Sequence, residues 1–168
     1  MASWWTNPIA FGTNRERPVT GEQHVGQSSS QSSAGLTVVF TTVPGTMAAL
    51  ERATRLARDL DLCLTLLVPQ VVPYQVPVTC PPVAIGHTQQ TILSMLSASA
   101  LNAHDINVQI CLCRDRIECL SRWMGARSMV FVGRRSRWWP SQERKLERTL
   151  RALGYEVIVV EQEEHCHA

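Results

Sequence analysis

Residues 36–68 contain the pattern that decides the fold. They open with Leu36-Thr-Val-Val-Phe-Thr-Thr-Val43, a nearly continuous apolar and β-branched run. A run of this kind suits a strand buried on both faces. Pro44-Gly45 interrupts it, and Thr46 is placed to cap a helix. Met47, Leu50, Ala53, Ala57 and Leu60 then recur at helical spacing, with Glu51, Arg52, Arg55 and Arg58 on the other side. That pattern predicts an amphipathic helix of about four turns. Leu62-Cys-Leu-Thr-Leu-Leu-Val68 follows as a second strand. Strand, helix and strand in this order form a parallel βαβ unit.

The alternation continues toward the carboxyl terminus. Pro69, Pro73, Pro77, Pro81 and Pro82 mark an extended connection that excludes a helix. The segment Thr88 to Ala103 reads as a helix with Ile92, Leu93, Leu96, Ala100 and Leu101 turned inward. Ile106 to Cys113 alternates as a strand, and Ile117, Leu120, Trp123 and Met124 mark a short helix. Ser128 to Gly133 reads as a fourth strand. From Ser141 a helix carries Leu146, Leu150 and Leu153 inward and closes at Gly154. Tyr155 to Val160 is the fifth strand. The expected fold is α/β, in the order βαβαβαβαβ, with a five-stranded parallel sheet and helices on both faces. In such sheets ligands bind beyond the carboxyl ends of the strands, where the strand order switches direction.

Residues 1–35 have a different character. Gln27 to Gly35 is polar and of low complexity, so this stretch is expected to be a disordered or weakly ordered tail. Trp4, Trp5 and Phe11 lie upstream as exposed aromatics or as a segment that docks. Residues 36–161 form the domain and 162–168 a short tail. The chain of 168 residues is long enough for a core without disulfides or a metal. Sixteen Lys and Arg against 14 Asp and Glu do not describe a strongly basic nucleic-acid protein. No uninterrupted apolar run of membrane-spanning length occurs, and the first residues lack a signal-peptide pattern. The expected location is the cytoplasm.

Six cysteines lie at 63, 80, 111, 113, 119 and 166, without a C-x-x-C pair. Zinc-ribbon and thioredoxin-like motifs are therefore not indicated. Cys63 and members of the 111–119 group are expected as small buried apolar residues. His165-Cys166-His167 is a short terminal cluster without further ligands, so no metal is expected. G-x-S-x-G, G-x-x-x-x-G-K-S/T and H-E-x-x-H are all absent. Thr41 and Thr42 could donate to a ligand but have no activating base in view. No catalytic residues are assigned.

The sharpest local feature is Arg134-Arg-Ser-Arg-Trp-Trp-Pro140. Eleven basic and four acidic residues fall between Arg114 and Arg151, while Glu156 to Glu164 carries four acids. Arginines beside a helix amino terminus could hold a phosphate, and Trp138 and Trp139 could stack on a base.

Two stretches resemble the universal stress protein family. Ala49-Leu-Glu-Arg-Ala-Thr-Arg-Leu-Ala-Arg-Asp-Leu-Asp-Leu-Cys-Leu-Thr-Leu-Leu-Val68 is similar to its first helix and second strand. Met129-Val-Phe-Val-Gly-Arg-Arg-Ser-Arg137, with Leu146 to Val160, is similar to its last two strands and final helix. The resemblance spans about residues 36–161 and rests on element order and apolar pattern. It implies a stress-linked or regulatory domain.

Nucleotide-binding members carry Asp at the end of the first strand, where Thr41 stands. They also carry Gly, two residues, Gly, nine residues, then Gly-Ser/Thr. Gly133 matches the first Gly and Ser136 occupies the second. The final pair falls on Leu146-Glu147 or, with a shorter loop, on Pro140-Ser141. Losing these glycines removes the backbone cradle for phosphates. ATP, the cofactor that the resemblance would bring, is therefore expected to bind weakly or not at all.

The ligand candidates are Thr41, Thr42, Gly133, Arg134, Arg135, Ser136, Arg137 and Ser141. The leading expectation is a non-enzymatic domain that acts by association. Implied partners are a second copy, through a dimer edge at Val157, Ile158, Val159 and Val160, and a protein partner. The alternatives are an adenine-nucleotide or other phosphate-ligand binder using Arg134 to Arg137, or a single-stranded nucleic-acid binder using the Arg/Trp loop. Nucleic acid ranks behind the others, and no membrane partner is expected.

Overall fold

A computed structural model describes residues 9–11, 35–78, 81, 83–99, 101, 106–125, 128–135 and 142–162. The elements are β1 (Ile9–Phe11), β2 (Leu36–Val39), α1 (Val43–Leu60), β3 (Leu64–Val71) and α2 (Ile85–Ser97). β4 (Ile106–Cys113), α3 (Arg116–Trp123), β5 (Met129–Arg135), α4 (Gln142–Ala152) and β6 (Glu156–Gln162) complete them. β2 to β6 form the expected five-stranded parallel sheet, in the spatial order β4-β3-β2-β5-β6. The segment expected as a tail adds a sixth strand, because β1 pairs antiparallel with β4, Ala10 opposite Gln109.

Helices cover both faces. α1 and α2 enclose one core with Leu36, Val38, Leu66, Val108 and Phe131. The other core holds Val39, Leu67, Val130 and Val132 with Leu120 from α3 and Leu146 and Leu150 from α4. Alternate residues of each central strand feed opposite cores, which is why β2 reads as a continuous apolar run.

Several boundaries differ from the sequence expectation. Helix α1 begins at Val43 and its cap is Thr42, whose hydroxyl accepts from Gly45 N at 3.3 Å. Pro44 therefore lies in the first helical turn, where its missing N–H costs nothing. Thr46 is instead buried, and its hydroxyl accepts from Thr41 N at 3.1 Å. Asp61 ends α1 in the left-handed conformation, φ 52°.

Strand β3 runs through Pro69 instead of stopping before it. Leu67 O accepts from Phe40 N on the β2 side, whereas Val72 N donates to Cys113 O on the β4 side. Pro69, two residues after Leu67, thus turns its missing donor toward β2, beyond β2's last paired residue, Val39.

Helix α2 starts and ends earlier than expected. It buries Ile92, Met95 and Leu96 and leaves Leu93 exposed; Leu101 lies beyond the helix, and Ala100 is outside the described residues. Leu60, Leu153 and Trp123 are also exposed rather than inward. Each sits at or beside a helix end, where the apolar stripe has turned past the sheet.

Cys111, Cys113 and Cys119 are buried, whereas Cys63 is exposed at the turn into β3, against expectation. No helix among the described residues is long and apolar enough to cross a membrane.

Removing the α1 cap should have a measurable cost. Thr42→Ala is expected to destabilise the fold by about 1 kcal/mol in urea denaturation, the usual value of a lost N-cap.

Candidate functional site

The chain proceeds from β2 outward to β3 and β4, then returns to place β5 and β6 on β2's other side. The switch point is therefore the junction of β2 and β5, where ligands of open α/β sheets lodge. Thr41, Thr42, Gly133 and Arg134 all sit at this junction.

Their bonding is internal. Thr41 Oγ1 donates to Gly133 O at 2.8 Å, tying the β2–α1 turn to the end of β5. Thr42 Oγ1 is engaged as the α1 cap. Of the first-turn amides that could face an anion, Pro44 has none and Gly45's goes to Thr42 Oγ1. Thr46's goes to Thr42 O at 2.8 Å. Pro44 and the capped Gly45 thus withdraw two of α1's first-turn positions as donors to a phosphate.

Gly133 also has a packing role. A Cβ built there would stand 1.8 Å from Gly45 O and 2.2 Å from Gly45 C. The two glycine backbones are in direct contact, so α1 rests on β5 where a side chain or a ligand group would otherwise fit. Gly45 and Gly133 work as a pair, and sequence spacing gave no sign of it. Pro44-Gly45 read as punctuation, and Gly133 read as the first glycine of a phosphate loop.

Arg134 points into a charged network. Its Nε donates to Glu161 Oε1 at 3.1 Å and its Nη2 bonds the same oxygen. Nη1 lies 3.7 Å from Glu147, and Glu147 pairs with Arg151 at 2.8 Å. The guanidinium beside Glu161 holds that carboxyl below the usual glutamate range. Arg134 thus joins β5 to β6 and α4, and its charge is answered within the domain. Arg134 and its two carboxylate partners come from three separate elements, so no local motif announced them.

The remaining candidates are only partly visible. Arg135 ends β5, and Ser136, Arg137 and Ser141 lie outside the described residues. So do Trp138, Trp139 and the His165-Cys166-His167 cluster. At the dimer-edge candidates, Val157 is buried against the α4 core while Ile158, Val159 and Val160 are half-buried. β6 is the last strand of the sheet, with β5 on its inner side. On the α1 face an open groove of about 570 Å³ runs between Met47, Arg52 and Arg55 of α1 and Val160 and Gln162 of β6.

A scan against protein-family models finds none that matches, and a search of curated proteins returns no match.

Two outcomes follow from this geometry. Gly133→Ala should destabilise by about 3 kcal/mol, at the upper end of overpacking costs, because the opposing atoms are backbone. Equilibrium unfolding checks it. Glu161 has a folded pKa below its unfolded value. Its contribution is therefore present above the ordinary glutamate range and lost as pH falls through the depressed value. Glu161→Gln should melt slightly below the parent at pH 7, and the two midpoints should converge in acid.

Proposed function

We propose that this chain is a universal-stress-protein-like domain that works by association, with its nucleotide crevice closed, in a stress-linked or regulatory role. One observation carries the reading: Gly45 and Gly133 meet backbone to backbone at the switch point. The hydroxyls of Thr41 and Thr42 and the amide of Gly45 are bonded beside that contact. A phosphate ligand would have to displace these bonds before making its own.

Association through β6 completes the proposal. The half-buried Ile158, Val159 and Val160 offer apolar surface beside an outer strand edge. A second copy pairing along that edge would continue the ladder and remove an aggregation hazard. Arg134 supports this role by holding β6 to β5 through Glu161. The adenine-nucleotide reading loses ground because Arg134 already has two carboxylate partners.

The test combines sedimentation with thermal unfolding. The full chain should sediment as a dimer at micromolar concentration, and Val160→Lys should shift it to monomer. Millimolar ATP with magnesium should leave the melting midpoint unchanged. A ligand at about a hundredfold over its Kd would add about 2.7 kcal/mol, which raises the midpoint by several degrees. Such a rise would replace this reading with nucleotide binding, and a strict monomer would remove the β6 edge from it.

A further inference from the structure

On its inner side β4 pairs with β3 along all eight of its residues, Ile106 to Cys113. On its outer side only Val108, Gln109 and Ile110 have a partner, the three residues of β1. Ile106, Asn107, Cys111, Leu112 and Cys113 have no strand partner there among the described residues. Native edge strands are commonly blunted by a charge or a proline, which discourages a further strand. Ile-Asn-Val-Gln-Ile-Cys-Leu-Cys113 carries neither. β6, the outer strand at the other end of the sheet, has Glu156 and Glu161. β4 is therefore a long, uncharged template for main-chain hydrogen bonds, covered over less than half its length.

β1 shows what this edge accepts. It is antiparallel in a sheet whose other pairs are all parallel, and it enters without a crossover helix. Ile9 stands opposite Ile110, Ala10 opposite Gln109 and Phe11 opposite Val108. Directly opposed residues of an antiparallel pair are neighbours on one face of the sheet. On the face of Val108 and Ile110, α2 leaves a shallow slot lined by those two residues, Ile92, Leu93 and Gln89. Its volume of about 20 Å³ admits one water-sized group and is too small for a ligand of its own. Leu93 beside it is 54% exposed. The edge thus favours apolar residues opposite 108 and 110, with a small residue between them opposite Gln109.

Three pairs make a weak strand. In the sequence β1 is bounded by Pro8, which has no N–H to donate, and by Gly12, a residue that weakens strands. A longer segment without those residues would pair with more of β4 and gain main-chain bonds that β1 does not make. β1 has the compensating advantage of its tether through residues 12–35. Such a tether acts like a local concentration of about a millimolar.

We propose that the outer edge of β4 is a docking site for an extended segment of a partner protein, and that β1 is a tethered stand-in that the partner strand displaces. The incoming segment pairs antiparallel and carries apolar residues at alternate positions, opposite Val108 and Ile110. Main-chain hydrogen bonds supply the affinity, and the apolar surface beside α2 selects the side chains. The site lies at the opposite end of the sheet from β6 and does not rest on the dimer proposed there.

The probe is a fluorescein-labelled peptide of residues 7–13 carrying Pro8→Thr and Gly12→Val. The full chain is compared with an opened variant, Ile9→Asp with Phe11→Asp, which puts charges where the edge is apolar. By fluorescence anisotropy the peptide should bind the variant about tenfold more tightly than the parent, because the tethered competitor is gone. Ala10→Pro repeats the comparison by removing one backbone N–H from β1 without adding charge. Both variants should match the parent by circular dichroism. Leu93→Asp in the opened chain should weaken binding several-fold, and the peptide methylated on its backbone nitrogens should not bind. The proposal is overturned if neither opened variant binds the peptide at near-millimolar concentration, or if parent and variants bind it equally. Equal binding of the methylated peptide overturns it as well, since no ladder would then be involved. Opened chains that pair with one another and exclude the peptide would make a second copy the occupant instead. Loss of fold in both variants would make β1 a fixed part of the domain and remove the displacement.

Discussion

The contact between Gly45 and Gly133 is the constraint on which the rest of this structure depends. It brings the first turn of α1 down onto the end of β5 with no side chain between them. Because β2 lies beside β5, the same contact fixes the angle at which α1 leaves the sheet. Thr41 then has Gly133 O within reach, and Thr46 meets the amide of Thr41. The helix dipole still points its positive end at the switch point, but there Pro44 has no N–H and Gly45 N is taken by the cap. A structure element that commonly receives phosphates is used here to close the fold.

Charge is handled in the same way. The basic excess between Arg114 and Arg151 looks like a surface for anions when read along the chain. In space, Arg134 and Arg151 meet Glu147 and Glu161, so acids from α4 and β6 answer part of it. Arg114 is turned to backbone carbonyls and a tyrosine ring. These arginines hold elements together across the sheet, a use that a charge count along the sequence cannot separate from ligand binding.

Most of the fold was legible because its signals are periodic. The β-branched run at Leu36, the helical stripe through Leu50 and Ala53, and the alternation from Ile106 to Cys113 each specify a burial pattern that one element satisfies. Boundaries were less legible because they depend on neighbours. Pro69 is allowed within β3 only because β2 ends early, a fact that lies elsewhere in the chain. Likewise Ile9 to Phe11 carries little strand signal of its own, yet β4 offers it an edge.

The amino-acid sequence by itself determined the α/β class, the alternation of five strands with four helices along the chain and most of the apolar faces that build the two cores. Those properties follow from local propensity and periodic hydrophobicity, which act over a few residues. Only the tertiary structure decided which threonine caps α1, that Gly133 faces another glycine, that Arg134 meets Glu161, and that Cys119 is buried in the same core as Cys111 and Cys113. Each of these joins residues from different elements. The energy of such a contact depends on a distance in space that no spacing along the chain encodes.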